Sequence, residues 1–176
     1  MRIDKTKIEK TETSLINTKS SFQPISQPNT EILILGSLPG DKSIEVNEYY
    51  GHPRNRFWKI IATISNKELP KNYNDKLALL QKLKIGLWDV AQRANRSGSL
   101  DSAIKDEEPN DIDSFLIDHP NLKIIAFNGR TSEALFNKYF DKKKNLKYIS
   151  LPSTSPANAR FSFDALCISW RQLSFE

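Results

Sequence analysis

The densest run of chemically capable side chains is Tyr49-Tyr50-Gly51-His52-Pro53-Arg54-Asn55-Arg56-Phe57-Trp58. Adjacent phenols offer stacking surface, an amide offers a donor beside an acceptor, and arginines add positive charge. Held in one short segment, that combination suits an extruded nucleobase. His52 could serve as an acid, although His-Pro also makes a turn whose imidazole bonds backbone. Asn55 stands directly before a helical pattern, so it can cap that helix or do chemistry.

The other loops carry weaker signals. Gly36-Ser37-Leu38-Pro39-Gly40-Asp41-Lys42-Ser43 has no Gly-Lys-Ser/Thr, so it is not a phosphate-cradling P-loop. Its glycines are followed by a long insertion rather than a helix, so it is not a dinucleotide fingerprint either. Leu151-Pro152-Ser153-Thr154-Ser155-Pro156-Ala157-Asn158-Ala159-Arg160 offers hydroxyls and backbone N–H groups that can grip phosphate oxygens. A proline-stiffened connection would have the same composition. Arg93, Arg96 and Arg160 are candidate phosphate contacts. A serine hydrolase would need Ser37 or Ser43 with His52, but no Gly-x-Ser-x-Gly elbow is present.

Composition closes several other routes. The single cysteine, Cys167, rules out an intrachain disulfide framework, a cysteine zinc site and an iron–sulfur cluster. Only His52 and His119 are available as imidazoles, which argues against a histidine metal site. Apolar runs are too short to span a bilayer. The start, Met1-Arg2-Ile3-Asp4-Lys5, lacks a signal-type apolar stretch, so a cytoplasmic protein is expected. A net charge of +5 with pI near 9.2 favours a polyanionic partner, weakly.

Elements must hold these loops in place. Residues 1–29 are polar and read as a mobile or loosely docked leader; one domain is expected over 30–176. Ile32–Leu35, Ile85–Val90, Leu122–Phe127 and Leu146–Leu151 are short apolar runs of buried-strand type. Helical spacing falls at 56–65, 74–83, 112–117, 131–140 and 163–173. Residues 92–110 read as a long polar loop. Alternating strands and helices predict a parallel sheet covered on both faces. Its ligand loops should leave the strand carboxyl ends at 36–55, 88–101, 127–130 and 151–160.

Taken together, the loops resemble the uracil-DNA glycosylase superfamily. Gly36-Ser37-Leu38-Pro39-Gly40 resembles its first motif, and Leu151 to Asn158 sits where its DNA-contacting motif falls. The hypoxanthine-DNA glycosylase branch (DNA-deoxyinosine glycosylase, family 6) is similar in further stretches. These are Tyr49 to Trp58, Gly86-Leu87-Trp88-Asp89-Val90, Arg96-Ser97-Gly98-Ser99-Leu100-Asp101 and Phe127-Asn128-Gly129. The resemblance runs from about Glu31 to Leu173. It implies a three-layer α/β/α sandwich around a central, mostly parallel four-stranded sheet. It also implies a monofunctional glycosylase that flips a deaminated base, hypoxanthine first, and hydrolyses its N-glycosidic bond without metal or cofactor. Uracil or mismatch excision, or damage binding without catalysis, are the alternatives. The expected partner is DNA containing deaminated bases, bound by a monomer with no membrane involvement.

The same resemblance assigns roles. Asn55 and Asp89 are the catalytic candidates: Asn55 takes the catalytic position of the branch, and Asp89 falls where other branches read the base. Gly36, Ser37, Leu38, Gly40 and Ser43 belong to the expected base pocket, with Tyr50, His52 and Asn128. Ser153, Thr154, Ser155, Ala157, Asn158 and Arg160 are expected on DNA, with Arg96. Three departures stand out. Leu38 replaces a catalytic acid or amide, Ser153 a catalytic histidine, and Ala157 the leucine wedge that fills the hole behind a flipped base.

Overall fold

The computed structural model describes residues 17–175. The apolar runs form β2 (Ile32–Gly36), β3 (Ile85–Asp89), β6 (Ile124–Asn128) and β7 (Lys147–Leu151). They make a four-stranded parallel sheet in the order β3-β2-β6-β7. β2 is central and buried throughout, and its alternate side chains serve opposite faces. Ile32 and Ile34 pack with the helices α2 (Phe57–Ile64), α3 (Tyr73–Lys82) and α6 (Phe163–Trp170). Leu33 and Leu35 pack with α4 (Ile112–Asp118) and α5 (Arg130–Tyr139). The result is the expected α/β/α sandwich.

Helix starts follow from local chemistry. Asn72, Asp111 and Ser162 accept from the backbone N–H three residues on and cap α3, α4 and α6. Each satisfies an N–H that the helix itself leaves unpaired.

Three regions depart from the sequence expectation. The polar loop 92–110 contains β4 (Ala91–Asn95) and β5 (Lys105–Pro109). With β1 (Thr18–Ser20) they make an antiparallel sheet in the order β1-β4-β5. Residues 17–29, read as part of a leader, are docked: Thr18 to Ser20 pair with β4, and Ile25 bridges Leu87. Residues 1–16 lie outside the described residues. The loop after β2 holds a short helix, α1 (Asp41–Val46).

The parallel register sets Gly36 opposite Asp89, and Asn128 opposite Leu151. All four lie at the carboxyl edge of the main sheet, where the loops gather.

Candidate active site

Those loops enclose a cavity of about 380 Å³, within the usual range for small-molecule pockets. Gly36, Ser37, Leu38, Gly40 and Ser43 line it, as do Tyr50, His52, Asn55 and Asp89. Ser153, Ser155, Ala157 and Asn158 line it as well. The segments singled out in the sequence therefore line a single cavity.

Tyr50 supplies the stacking surface. Its backbone is left-handed, φ 54°, an uncommon state for a large side chain and one that concentrates at functional sites. The ring stacks on Phe57 with centroids 4.0 Å apart and planes at 22°. Phe57 thus backs the phenol that lines the cavity.

Asp89 is 5% exposed. Its carboxyl folds over the Cα of Gly36: a Cβ at residue 36 would lie 2.6 Å from Asp89 Oδ1. Glycine is needed there for space rather than for backbone freedom. Ser21 Oγ lies 3.3 Å from Asp89 Oδ2 and 2.9 Å from the Phe22 carbonyl oxygen. A hydroxyl has one hydrogen, so it serves one of these acceptors at a time. Oδ1 has no hydrogen-bond partner among the described residues. Burial pushes the Asp89 carboxyl up to about 7, opposed by Ser21 and by the positive charge of Arg96. Burial and the nearby Asp89 charge also raise Tyr50, so its phenol stays protonated at neutral pH.

Asn55 is held differently. Its Oδ1 accepts from the Phe57 backbone N–H (3.0 Å) and from Thr154 Oγ1 (2.9 Å). The backbone donor fixes which end of the amide is oxygen. Both lone pairs are then occupied, and the Nδ2 amide is the group left over. Asn55 therefore does serve the start of α2, and what it retains for chemistry is a donor. His52 resolves likewise. Its Nδ1 accepts from Arg54 N at 3.0 Å, which places the proton of a neutral ring on Nε2.

Three sequence expectations are corrected. Arg96 is not a phosphate contact: it is 1% exposed and donates to the Leu38 carbonyl at 3.2 Å and to that of Pro39. Asp101 stands 3.6 Å from Arg96 and accepts from Ser37 Oγ at 2.6 Å. Arg96 thus braces the loop that leaves β2. Asn128 does not line the cavity, and its amide is spent on Thr154. Oδ1 accepts from Thr154 N at 2.9 Å and Nδ2 donates to Thr154 Oγ1 at 3.0 Å. Thr154 is fully buried and cannot touch DNA in this conformation. Asn128, Thr154 and Asn55 instead form one continuous network. Arg160 is exposed on a second, adjoining depression.

Sequence reasoning missed Arg56, whose guanidinium donates to the carbonyls of Phe161, Ser155 and Asn158 at 2.7 to 2.9 Å. It also missed Ser21 and Phe22, which arrive from the supposed leader. No motif marks Ser21 or Phe22, and the motif that contains Arg56 does not reveal its carbonyl partners, since both contributions depend on long-range docking. Among the described residues, no group of three or more His, Cys, Asp or Glu could hold a metal ion. No described helix is long and apolar enough to cross a membrane.

Comparison with known proteins places this arrangement. Residues 23–174 match the family model of the Uracil DNA glycosylase superfamily. The chain is similar to a hypoxanthine DNA glycosylase from Methanosarcina barkeri, with 49% identity over 115 residues, 65% of this chain and 73% of that protein. A hypoxanthine DNA glycosylase from Methanosarcina acetivorans is 43% identical over 147 residues, 82% of this chain and 90% of its own length. The solution NMR structure of a candidate uracil DNA glycosylase from M. acetivorans superposes with a TM-score of 0.73 at 39% identity. That match covers 89% of this chain and 98% of the other. The chain belongs to the uracil DNA glycosylase superfamily.

Proposed function

We propose that this protein is a monofunctional DNA glycosylase of base-excision repair acting on deaminated bases, hypoxanthine first, and that it works as a cytoplasmic monomer. The observation that carries the reading is the buried Asp89 carboxyl, with Oδ1 unpaired among the described residues, at a cavity lined by Tyr50. Deamination of adenine turns N1 from a lone pair into an N–H and replaces the amino group by a carbonyl. An ionised Asp89 accepts from that N1–H and repels the lone pair of intact adenine. The names of the Methanosarcina relatives support the same substrate.

The chemistry is hydrolysis. The C1′–N9 bond breaks with its electron pair moving to the base, and the sugar passes through an oxocarbenium-like state. A water oxygen then bonds C1′, and the proton it releases neutralises the departed base anion, leaving an abasic site and free hypoxanthine. A cation of that kind needs a positioned water rather than a strong base. Asn55 Nδ2 donates to the water and so fixes its place, a preorganised dipole rather than a proton acceptor. This role fits the absence of an acid at Leu38 and of an imidazole at Ser153.

Labelled duplexes carrying hypoxanthine, uracil, xanthine or a thymine mismatch, treated with alkali after incubation, test the reading. Release is expected from hypoxanthine and is expected to vanish in Asn55→Ala. Preferential release of uracil would move the substrate. Tight lesion binding with no release from any duplex would replace catalysis by damage recognition.

A further inference from the structure

Leu100 is the feature that the site description leaves unused. It is 59% exposed, although most large apolar side chains of this protein are buried. Other exposed ones, such as Leu69, Ile117 and Ile168, lie away from the cavity. Among the described residues, Leu100 alone of the exposed large hydrophobic side chains lines it, together with Ser155, Pro156, Ala157 and Asn158.

The backbone on both sides of Leu100 is tied down. Ser99 Oγ accepts from Asp41 N at 3.0 Å, and Lys19 Nζ donates to the Gly98 carbonyl. Asp101 holds Ser37 and faces Arg96. The Leu100 carbonyl accepts from Ala103 N at 3.1 Å, opening a single 3₁₀ turn over Asp101–Ala103. An apolar side chain projecting to solvent from a fixed loop loses hydration free energy with no packing in return. A surface that must enter a base stack has that form.

We propose that Leu100 is the wedge that fills the gap left in the duplex when the damaged nucleotide enters the cavity; this rests on the glycosylase reading above. A nucleotide that leaves the helix costs a few kcal/mol of stacking, and apolar wedges between base steps offset part of it. Ala157, which lines the same cavity, has one methyl group and cannot occupy that volume. The second sheet, through β4 and the turn after it, therefore supplies the duplex-opening part, and the main sheet supplies the base pocket.

The test compares base release from the same hypoxanthine in duplex and in single-stranded DNA, with wild type, Leu100→Ala and Leu100→Met. Only the duplex has a stack to fill. Leu100→Ala is expected to lose about tenfold to a hundredfold on duplex, the equivalent of one base step left poorly stacked. Its single-strand rate is expected to match wild type, and Leu100→Met to recover most of the duplex rate. Equal loss on both substrates would make Leu100 part of the base pocket and overturn the proposal, as would no loss on either. Fluorescence of 2-aminopurine placed beside the lesion reads unstacking without turnover. If wild type releases no base, the glycosylase reading fails by itself, and the wedge is judged on this signal. A gain that Leu100→Ala abolishes upholds it, and an unchanged gain overturns it.

Discussion

Asn55 and Asp89 line the same cavity but are held in opposite ways. Asn55 is committed: both lone pairs of its oxygen are taken, one by a helix start and one by Thr154. Asp89 is poised: one oxygen meets a hydroxyl shared with a carbonyl, the other has no hydrogen-bond partner among the described residues, and burial lifts its carboxyl toward neutrality. The first arrangement fixes a donor in place at the cost of acid–base freedom. The second keeps a titratable group close to the pH at which it would work. A site that must orient water and also sort bases by their protons has use for both.

Asn55→Asp is the sharpest way to break this contrast. The carboxylate keeps both accepted bonds and suits a helix start, but it has no amide hydrogens. The melting temperature should hold, while base release falls by about 10²–10³, the usual consequence of losing one preorganised donor. Undiminished release would show that the donor is irrelevant. Asp89→Ala comes next. Loss of a charge-assisted hydrogen bond of about 1.5–3 kcal/mol should slow hypoxanthine release about 10- to 100-fold.

The pH behaviour of Asp89 has two parts. Its carboxyl sits near 3.8 in the unfolded chain and about 7 in the fold. Between those values the folded protein keeps a proton that the unfolded chain has released. Its contribution to stability is therefore complete below the lower value and is lost as pH rises through the upper one. The slope from a single group is at most about 1.4 kcal/mol per pH unit. Activity should move the other way, rising through pH 7 as the carboxylate forms. Asp89→Asn should flatten both curves, measured by thermal melts and by release rates across the same buffers.

Thr154→Val should cost about 1–3 kcal/mol, because one buried hydroxyl serves both Asn55 and Asn128. Urea midpoints would measure it. The smallest effect belongs to Ser21→Ala. Ser21 holds the Asp89 carboxyl down, so its removal should carry the rise in activity to higher pH. A displacement to lower pH would mean that the hydroxyl acts as an acceptor of the Asp89 proton instead.

What could be read from the sequence depended on whether local pattern and tertiary environment agreed. Runs such as Ile32-Leu33-Ile34-Leu35 are apolar because both faces of β2 are covered, so the main sheet and its ligand edge were legible. Lys105–Pro109 and Ala91–Asn95 are mostly polar, and pairing rather than burial makes them strands. The second sheet was therefore invisible. Composition also misassigned Arg96: a guanidinium beside glycines and serines reads as a phosphate contact until burial shows that it holds two carbonyls. Asn128 and Thr154 look like free polar groups at the ends of strands, but each satisfies the other. The half-buried His52 and Asn55 were legible because their types and spacing within one short segment mark them before any fold is known.

The docking of residues 17–22 carries a practical consequence for boundaries. Similarity to the family begins at residue 23, yet β1 precedes that point and covers one side of β4. A chain cut at the homology boundary would lose Ser21 from the Asp89 carboxyl and would turn β4 into a bare edge. Unpaired strand edges recruit other strands. Such a trimmed protein should self-associate, and its poor yield would easily be mistaken for an unstable catalytic domain.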